Sequence, residues 1–456
     1  MCCPEGRWRP AAHGPGGQMS TAPAASCPPL GRPSVHTGVV TERHTVVPRK
    51  AQPVVAAALA DTRVVAINGA RQAGKSTLAR LAAAGAPNPL FRLLDDPSTL
   101  RAAQDDPVSF VEHDGLLVVD EVLLAPELFR AIKLVVDADP RPGRFLLTGS
   151  ARILALRDLP DALPGRMETV ELWPFSQGEI DGEPDRFVDA AFARGPALTH
   201  RSTLRRRDYL DRVTRGGYPE AVRRTPRRRT AFFDSYLSTL IERDVTELAS
   251  IERRGDLRRL LGLLAGRSGG LLVPGALSTQ SGIPRTTLAR YLELLSAVFL
   301  IKQIPAWTTG PTGRAIGTPK LAYVDSGVAC HLLGQDAARL GEPGGAAGPM
   351  VENFVLSELA RQLSWSDERV GLSHYRTKDG VEVDAVLEAV DGRVVGIEVK
   401  AGATVRSDDL AGLRHLADRL GERFVAGYVL YTGQQTLPFG DRLRAVPLDV
   451  VWRTSP

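Results

Sequence analysis

The residues best suited to chemistry lie near the start of the chain, between an apolar stretch and a stretch rich in Ala and Leu. The apolar residues 64–67 are typical of a strand, and the pattern Gly-x4-Gly-Lys-Ser follows them. Glycines let backbone N–H groups curve around phosphates, the lysine reaches the terminal phosphates, and the serine can ligate Mg²⁺. The pattern predicts a loop that binds ATP and Mg²⁺, formed by Gly69, Ala70, Arg71, Gln72, Ala73, Gly74, Lys75, Ser76 and Thr77.

A second apolar run, at residues 116–119, ends in two adjacent carboxylates, Asp120 and Glu121. The carboxyl ends of buried parallel strands meet at one edge of a sheet, where ligands bind. We therefore expect Asp120 to hold Mg²⁺ and Glu121 to activate the water that attacks ATP. The alternative is a strand that is followed by an ordinary polar turn.

Hydroxyl and arginine residues complete the expected machinery for ATP hydrolysis. The apolar run at residues 145–147 leads into Thr148 and Ser150, and either hydroxyl could sense the γ-phosphate. Arg166 follows a Pro-Gly pair and is a candidate arginine finger, which would neutralise charge in the transition state. An ordinary surface arginine is the alternative. A finger that acts across subunits would require a homo-oligomer.

Another chemical pattern lies near the C-terminus, where two strands of alternating polarity flank an Asp-Gly turn. Asp384, Glu398 and Lys400 form the pattern Asp-x13-Glu-x-Lys. Aligning the apolar faces, which include Val383 and Ala385, puts these three residues on one side if the hairpin has a three-residue or bulged connection. This is the pattern of PD-(D/E)xK nucleases, in which the carboxylates bind Mg²⁺ and the lysine assists the attack. The alternatives are an exposed charged hairpin and an inactive nuclease fold.

Lysine is rare in this chain, so each lysine is informative. Seven of the 57 basic residues are lysine, and the others are arginine. A compact ammonium differs from a planar guanidinium wherever a flexible point charge is needed. Two of the seven lie inside the motifs described above. The full set is Lys50, Lys75, Lys133, Lys302, Lys320, Lys378 and Lys400.

The chain is too long for one hydrophobic core. At 456 residues, with 43% hydrophobic residues, it predicts several domains. Strands that alternate with helices predict an α/β fold: a P-loop NTPase parallel sheet covered by helices, followed by a helical or winged-helix domain and a smaller α/β nuclease-like domain. The predicted segments are a disordered tail at 1–40, a P-loop ATPase core at 41–180, a helical Arg-rich region at 181–256, a winged helix at 257–310 and the nuclease-like domain at 311–456.

Arginine clusters, rather than the modest net charge of +5, would have to carry any binding of nucleic acid. Runs of arginine occur at 205–207, 223–224 and 227–229. A turn at 282–284 precedes a helix that starts near Arg285, which is typical of a helix-turn-helix. A solvated helical face is the alternative for the clusters, and a structural or protein-binding module is the alternative for the helix pair.

Several other classes of protein are disfavoured. The chain has no apolar run near the roughly 20 residues of a membrane span and no apolar signal-peptide core, so we expect a cytoplasmic protein. The four cysteines, Cys2, Cys3, Cys27 and Cys330, lack the spacing of a zinc site or a disulfide framework.

Five short motifs carry a resemblance to a known family. They are Gly69-Ala70-Arg71-Gln72-Ala73-Gly74-Lys75, Asp120-Glu121 with Pro126-Glu127-Leu128, Leu147-Thr148-Gly149-Ser150, Gly165-Arg166 and Gly216-Gly217-Tyr218-Pro219-Glu220. They look like the motifs of prokaryotic AAA+-type ATPases with a C-terminal winged helix and a restriction-endonuclease-like domain. The resemblance covers roughly residues 40–456. It implies an AAA+-type core and makes Glu352 a candidate for a further acidic ligand.

These patterns together predict a Mg²⁺-dependent ATP-binding and ATP-hydrolysing protein. Hydrolysis would be coupled through the winged helix to a nuclease-like domain that acts on nucleic acid, DNA rather than RNA. One alternative is a nucleotide-gated DNA-binding or regulatory switch with an inactive nuclease fold. Another is an ATPase that acts on a protein partner.

Overall fold

The structure is a computed structural model that describes residues 46–151, 163–244, 254–308 and 317–456. The predicted tail at residues 1–40 lies outside these ranges. Residues 47–456 form one compact unit, so the predicted boundaries between domains inside it stay predictions. Within the described part of the chain, no helix combines the length and the apolar character that crossing a bilayer requires.

The N-terminal part of this unit is a parallel sheet covered by helices on both faces, as predicted. Its five strands lie in the order β2-β3-β4-β1-β5, and all neighbours run parallel. β1 pairs with β4 on one side and β5 on the other and is buried along its whole length, which explains its largely apolar sequence. The elements are α1 (Gln52–Asp61), β1 (Val64–Gly69), α2 (Lys75–Ala83), β2 (Leu90–Leu93), α3 (Pro97–Asp105), α4 (Pro107–Val111), β3 (Leu117–Asp120), α5 (Leu128–Ala138), β4 (Phe145–Gly149) and β5 (Met167–Leu172), with a 3₁₀ turn at Val122–Leu124.

A helical region follows the parallel sheet. Its last two helices are joined by a turn in which Gly282 has φ +70°, a left-handed conformation that favours glycine. A two-stranded antiparallel sheet comes next, and the identity of this part as a winged helix stays a prediction. The elements are α6 (Gln177–Asp181), α7 (Phe187–Arg194), α8 (Arg206–Arg215), α9 (Pro219–Val222), α10 (Pro226–Thr239), a π-helical turn (Leu240–Asp244), α11 (Arg254–Ala265), α12 (Pro274–Ser281), α13 (Arg285–Ala297), β6 (Ile301–Ile304) and β7 (Lys320–Tyr323), with a 3₁₀ turn at Gly195–Ala197.

The C-terminal part is a mixed six-stranded sheet with the order β12-β13-β11-β10-β9-β8. The helix at Ala347–Gln362 packs on one face of this sheet and the helix at Ala411–Leu420 on the other. Its identity as a nuclease-like domain stays a prediction. The elements are α14 (Ser326–Leu332), α15 (Ala337–Gly341), α16 (Ala347–Gln362), β8 (Val370–Arg376), β9 (Glu382–Ala389), β10 (Val394–Lys400), α17 (Ala411–Leu420), β11 (Phe424–Tyr431), β12 (Leu437–Pro438), β13 (Leu443–Pro447) and α18 (Val450–Arg453), with 3₁₀ turns at Ser407–Leu410 and Gly421–Arg423.

A buried chain of ionic and polar contacts joins the helical region to the C-terminal part. The backbone N–H of Gln177 donates to Glu358 over 2.9 Å, and Arg361 pairs with the same carboxylate. Arg361 also lies 3.8 Å from Asp325, which accepts a hydrogen bond of 2.6 Å from the backbone N–H of Gly217. Buried charges are tolerated only when paired and hydrogen-bonded, so these contacts fix the helical region relative to the C-terminal part.

Candidate functional site

The predicted phosphate-binding loop connects β1 to α2. A side chain at Gly69 would meet the carbonyl oxygen of Leu172 at 2.1 Å, so glycine is required there by the close approach of β5. Gly74 has φ +99° and precedes the first residue of α2. Lys75 is buried, and its Nζ donates to the carbonyl oxygens of Gly69 and Ala70, each over 3.1 Å. The loop is therefore curled around the ammonium group.

The other loop residues frame this arrangement. Ala70 and Ala73 are buried, whereas Gln72 and Thr77 are exposed and Arg71 is half-buried. Gln72 has φ +61°, which is uncommon for a residue with a side chain and marks the tightest part of the loop.

A hydrogen-bond ladder joins the loop to β3 and β4. Ser76 Oγ donates to Asp120 Oδ1 over 3.1 Å, and the hydroxyl of Thr148 donates to the same oxygen. The backbone N–H of Glu121 in turn donates to Thr148 Oγ1 over 3.0 Å. The carboxylate of Glu121 accepts the backbone N–H of Ser150 over 3.2 Å. The structure therefore brings the predicted residues of three segments to one edge of the sheet.

Glu121 has two further features of a functional residue. Its φ of +56° lies in the left-handed region, which costs energy for a residue with a Cβ and is found at active sites. Its carboxylate also lies 4.0 Å from Lys75 Nζ. This places the predicted base beside the predicted phosphate-binding lysine.

The two candidate sensors differ in position. Thr148 is fully buried, and its hydroxyl holds both Asp120 and the backbone of Glu121. Ser150 lies half-buried just beyond β4 and contacts Glu121 through its backbone N–H. Which hydroxyl senses the γ-phosphate stays open, but the two residues support the site in different ways.

Arg49 is a site residue that the sequence analysis missed. Its guanidinium is buried and donates to the carbonyl oxygens of Ala73, over 2.8 Å, and Trp173, over 2.6 Å. It also forms an ion pair with Glu179 at 3.0 Å. Glu179 forms a capping box with Ser176 at the start of α6. That Ser-x-x-Glu spacing was the sequence signal that could have pointed to Glu179, the partner of Arg49. Arg49 thus links the phosphate-binding loop, at Ala73, to Trp173 and Glu179.

Arg166 does not reach the nucleotide site of its own chain. It lies just before β5, whose first residue pairs with Val64 at the start of β1, and its carbonyl oxygen accepts the N–H of Val64. The loop follows the other end of β1, about 15–20 Å away at the usual rise per residue. Its guanidinium pairs with Asp137. This geometry does not support a finger acting within one chain, and the arginine finger stays a prediction for a role across subunits.

The C-terminal hairpin has the three-residue connection that the sequence required. Ala389 donates its N–H to the carbonyl oxygen of Arg393, and this register places Asp384 opposite Glu398. The strict alternation predicted for β9 is wrong, because Val383 packs on the α17 side with different neighbours from those of Ala385 on the α16 side. The pairing of β8 with β9 shifts register beside this point, which turns the strand.

A lysine from another part of the chain occupies the acidic centre. Lys320 Nζ, on β7, lies 2.6 Å from Glu352, 2.9 Å from Glu382 and 2.9 Å from Asp384. Its side chain is 1% exposed. Burial acts to lower the pKa of Lys320, but Asp384 and Glu352 outweigh it and raise the pKa above its ordinary value. The ammonium therefore stays charged.

Glu398 and Lys400 form a neighbouring ion cluster. Lys400 Nζ lies 3.0 Å from Glu398 and 3.5 Å from Asp409. Burial, and next the charge of Asp384, raise the pKa of Glu398 to about 7. The structure therefore brings Asp384, Glu398 and Lys400 close together, but in two separate sets of ion pairs.

These residues do not fit the predicted metal centre. Asp384 accepts Lys320 on one oxygen and the backbone N–H of Val399, over 2.9 Å, on the other. Across the described ranges, no three His, Cys, Asp or Glu side chains are grouped to hold a metal ion. The prediction that Asp384 and Glu398 bind a metal is not supported, because Lys320 engages Asp384 and Lys400 engages Glu398.

The arginine clusters divide into structural and exposed members. Arg206 donates to the carbonyl oxygens of Ala401 and Gly341, and Arg229 donates to those of Ala221 and Arg224. Arginines with an exposed side chain are Arg205, Arg207, Arg223, Arg227, Arg228, Arg285 and Arg290. Only this second group is placed to meet a partner.

The sheet order, the glycine-rich loop and the ladder on β3 and β4 define an AAA-type P-loop domain. Comparison with known families agrees: residues 61–181 match the AAA domain family. Two further segments match families described as domains of unknown function, residues 206–339 matching DUF8612 and residues 347–451 matching DUF4143. These two matches leave the winged-helix and nuclease-like identities as predictions.

The similar full-length proteins carry no assigned activity. The chain is 29% identical to uncharacterized proteins of Mycobacterium tuberculosis and Mycobacterium bovis, each over 86% of this chain and 81% of the relative. Among solved structures it is similar to a Walker-type ATPase of Pyrococcus abyssi, with 15% identity, a TM-score of 0.35, and 64% of this chain and 97% of that chain covered. The RuvB Holliday junction branch migration motor of Thermotoga maritima gives 19% identity, a TM-score of 0.27, and 57% and 90% covered.

Proposed function

We propose that this chain binds ATP with Mg²⁺ and hydrolyses it at the edge of the parallel sheet. The observation that carries the proposal is the ladder from Ser76 through Asp120 and Thr148 to Glu121, which joins three segments far apart in sequence. A strand followed by an ordinary polar turn would not need these contacts. The carboxylate and the hydroxyl of Asp120 and Ser76 are the oxygen ligands that Mg²⁺ prefers.

Each residue has a distinct role in this proposal. Lys75 neutralises the terminal phosphates, and the backbone N–H groups at the start of α2 bind their oxygens. Ser76 and Asp120 hold Mg²⁺, which when bound neutralises charge on the phosphates. Glu121 orients the attacking water and accepts its proton. Thr148 keeps the two carboxylates in position.

We further propose that ATP hydrolysis is coupled to an action on nucleic acid bound by the rest of the chain. This nucleic acid is DNA rather than RNA. Support comes from the exposed arginines at the start of α10, Arg227 and Arg228, and at the start of α13, Arg285. Arg49 contacts both the phosphate-binding loop, at Ala73, and Glu179 of α6. The N–H of Gln177, also on α6, donates to Glu358 of the C-terminal part, so α6 connects the two parts. The alternative partner is a protein, which the same exposed surface could bind.

Phosphate release from ATP, measured with and without Mg²⁺ and DNA, tests the proposal. The wild type should require Mg²⁺, and Lys75→Ala should lose nucleotide affinity and hydrolysis. Lys378→Ala is the matched control, because it removes an exposed lysine outside the loop. Equal hydrolysis by Lys75→Ala and the control would refute the ATPase proposal. Stimulation by a protein fraction but by no DNA or RNA would refute the nucleic-acid part alone.

A further inference from the structure

The ion cluster around Lys320 is built from three separate elements. Glu352 lies on α16, Glu382 and Asp384 lie on β9, and Lys320 lies on β7. The three carboxylates converge on one nitrogen at 2.6–2.9 Å. An ammonium group has three N–H donors, and this cluster supplies one carboxylate for each of them.

The cluster resembles a metal-binding site in which a side chain of the protein itself supplies the cation. Oxygen ligands from carboxylates are what hard divalent ions prefer, and such ions also draw several carboxylates to one point. Here the nearly fully buried ammonium of Lys320 fills that point. Asp384 has its remaining oxygen engaged by the N–H of Val399, so it has little capacity for a second cation.

The carboxylates of the cluster differ in how readily they ionise. Burial opposes ionisation of Glu382, yet Lys320, followed by Arg376, lowers the pKa of Glu382 below its ordinary value. Burial and the charge of Asp384 instead raise the pKa of Glu352 to about 8. Lys320 thus favours the ionised form of Glu382, whereas the surroundings of Glu352 favour its protonated form at neutral pH.

We propose that Lys320 is a built-in substitute for the divalent metal in the nuclease-like centre. The C-terminal domain therefore does not cut nucleic acid by metal-dependent chemistry at this centre. The proposal does not rest on the ATPase function, since it concerns a different sheet. Of the roles expected from the sequence, it favours the inactive nuclease fold over the active nuclease, because an Asp384 engaged by a lysine cannot position a metal-bound water.

Lys320 also performs a structural task that a metal ion would not. It lies on β7, which is also joined to the segment after α11, where Gly269 donates its N–H to the carbonyl oxygen of Leu321 over 2.8 Å. The ammonium of Lys320 reaches from this strand to carboxylates on α16 and β9, so removal of the lysine would loosen the contact between β7 and the C-terminal sheet. The same lysine fills the acidic centre and ties it to the neighbouring part of the chain.

Calorimetric titration of the full-length protein with Mn²⁺, without nucleotide, tests the proposal. The wild type should show no Mn²⁺ binding that depends on Asp384, which is measured by comparing it with Asp384→Asn. Lys320→Ala should gain one Mn²⁺ per chain, and the double variant Lys320→Ala with Asp384→Asn should lose it again. The melting temperature of Lys320→Ala should rise with Mn²⁺, whereas that of the wild type should not.

A second variant keeps the test decisive if Lys320→Ala does not fold. This variant combines Lys320→Ala with Glu382→Gln. The second substitution removes one of the three carboxylates that repel one another without the lysine, while Glu352 and Asp384 remain. Wild-type Mn²⁺ binding that Asp384→Asn abolishes would overturn the proposal. The proposal would also be overturned if the wild type cleaved linear DNA in a Mg²⁺-dependent way and Asp384→Asn abolished this cleavage. A third refuting result is that neither Lys320 variant gains Mn²⁺ binding. Phosphate release from ATP, measured on the same samples, reports the ATPase function separately.

Discussion

Replacing Thr148 by Val removes one hydroxyl that supports both carboxylates of the proposed ATPase site. The side chains have nearly the same shape, so the change isolates the hydroxyl. In the structure that hydroxyl donates to Asp120 and accepts the N–H of Glu121 over 3.0 Å, and the side chain is fully buried. Water therefore cannot replace either contact without rearrangement.

The magnitude follows from these two contacts. Leaving the buried N–H of Glu121 without its acceptor should lower the free energy of unfolding by about 1–3 kcal/mol. The hydrogen bond to the charged Asp120 contributes about 1.5–3 kcal/mol. If the same contribution positions Asp120 in the transition state, kcat/KM for ATP falls about tenfold to hundredfold, because about 1.4 kcal/mol corresponds to a factor of ten.

Steady-state phosphate release at several Mg²⁺ concentrations, together with thermal unfolding, checks this prediction. Ser150→Ala is the matched control, because Ser150 contacts Glu121 through its backbone N–H, which the substitution keeps. Thr148→Val should need more Mg²⁺ for half-maximal activity, and Ser150→Ala should not. The reasoning is refuted if Thr148→Val keeps kcat/KM within about twofold of the wild type and melts at the same temperature.

Three further predictions concern residues at other places in the chain. Glu121→Gln should bind ATP normally but hydrolyse it about a hundredfold more slowly or worse; near wild-type phosphate release would remove Glu121 from its role. Arg166→Ala should keep ATP binding and lose turnover, and mixing it with Lys75→Ala protein should restore activity if the arginine acts across subunits; absence of rescue would leave it as the partner of Asp137 alone. Charge removal at both Arg227 and Arg228 should weaken DNA binding at all sequences and flatten its salt dependence by up to about one unit per lost phosphate contact, and an unchanged salt slope would identify a solvated surface.

The parts of the site that local chemistry dictates could be predicted from the sequence. The glycines and the lysine of the phosphate-binding loop lie within seven consecutive residues, and their spacing reflects a backbone requirement of that loop. The three-residue connection near Asp391 also followed from the sequence, since only that register aligns the apolar faces of β9 and β10. In both cases the residues that interact are neighbours in the chain.

The parts that depend on distant contacts could not be predicted. Arg49 contacts Ala73, and its partner Glu179 lies 130 positions away, so no local pattern joins them. The position of Arg166 could not be predicted, because its Pro-Gly turn reveals nothing about which end of the sheet it occupies. Lys320 lies 64 residues from Asp384. Its rarity in an arginine-rich chain was a usable signal, but nothing local connected it to the acidic pattern.

The buried contacts between Gln177, Glu358, Arg361, Asp325 and Gly217 have a consequence for how such a chain can evolve. Their members fall in all three of the segments that match separate families. Recombination that exchanged one segment for a foreign one would leave a buried charge without its partner, at a cost of about 3–5 kcal/mol. That is a large share of the stability of a typical domain. Exchange of a single segment is therefore selected against, because the three segments share one buried set of charges.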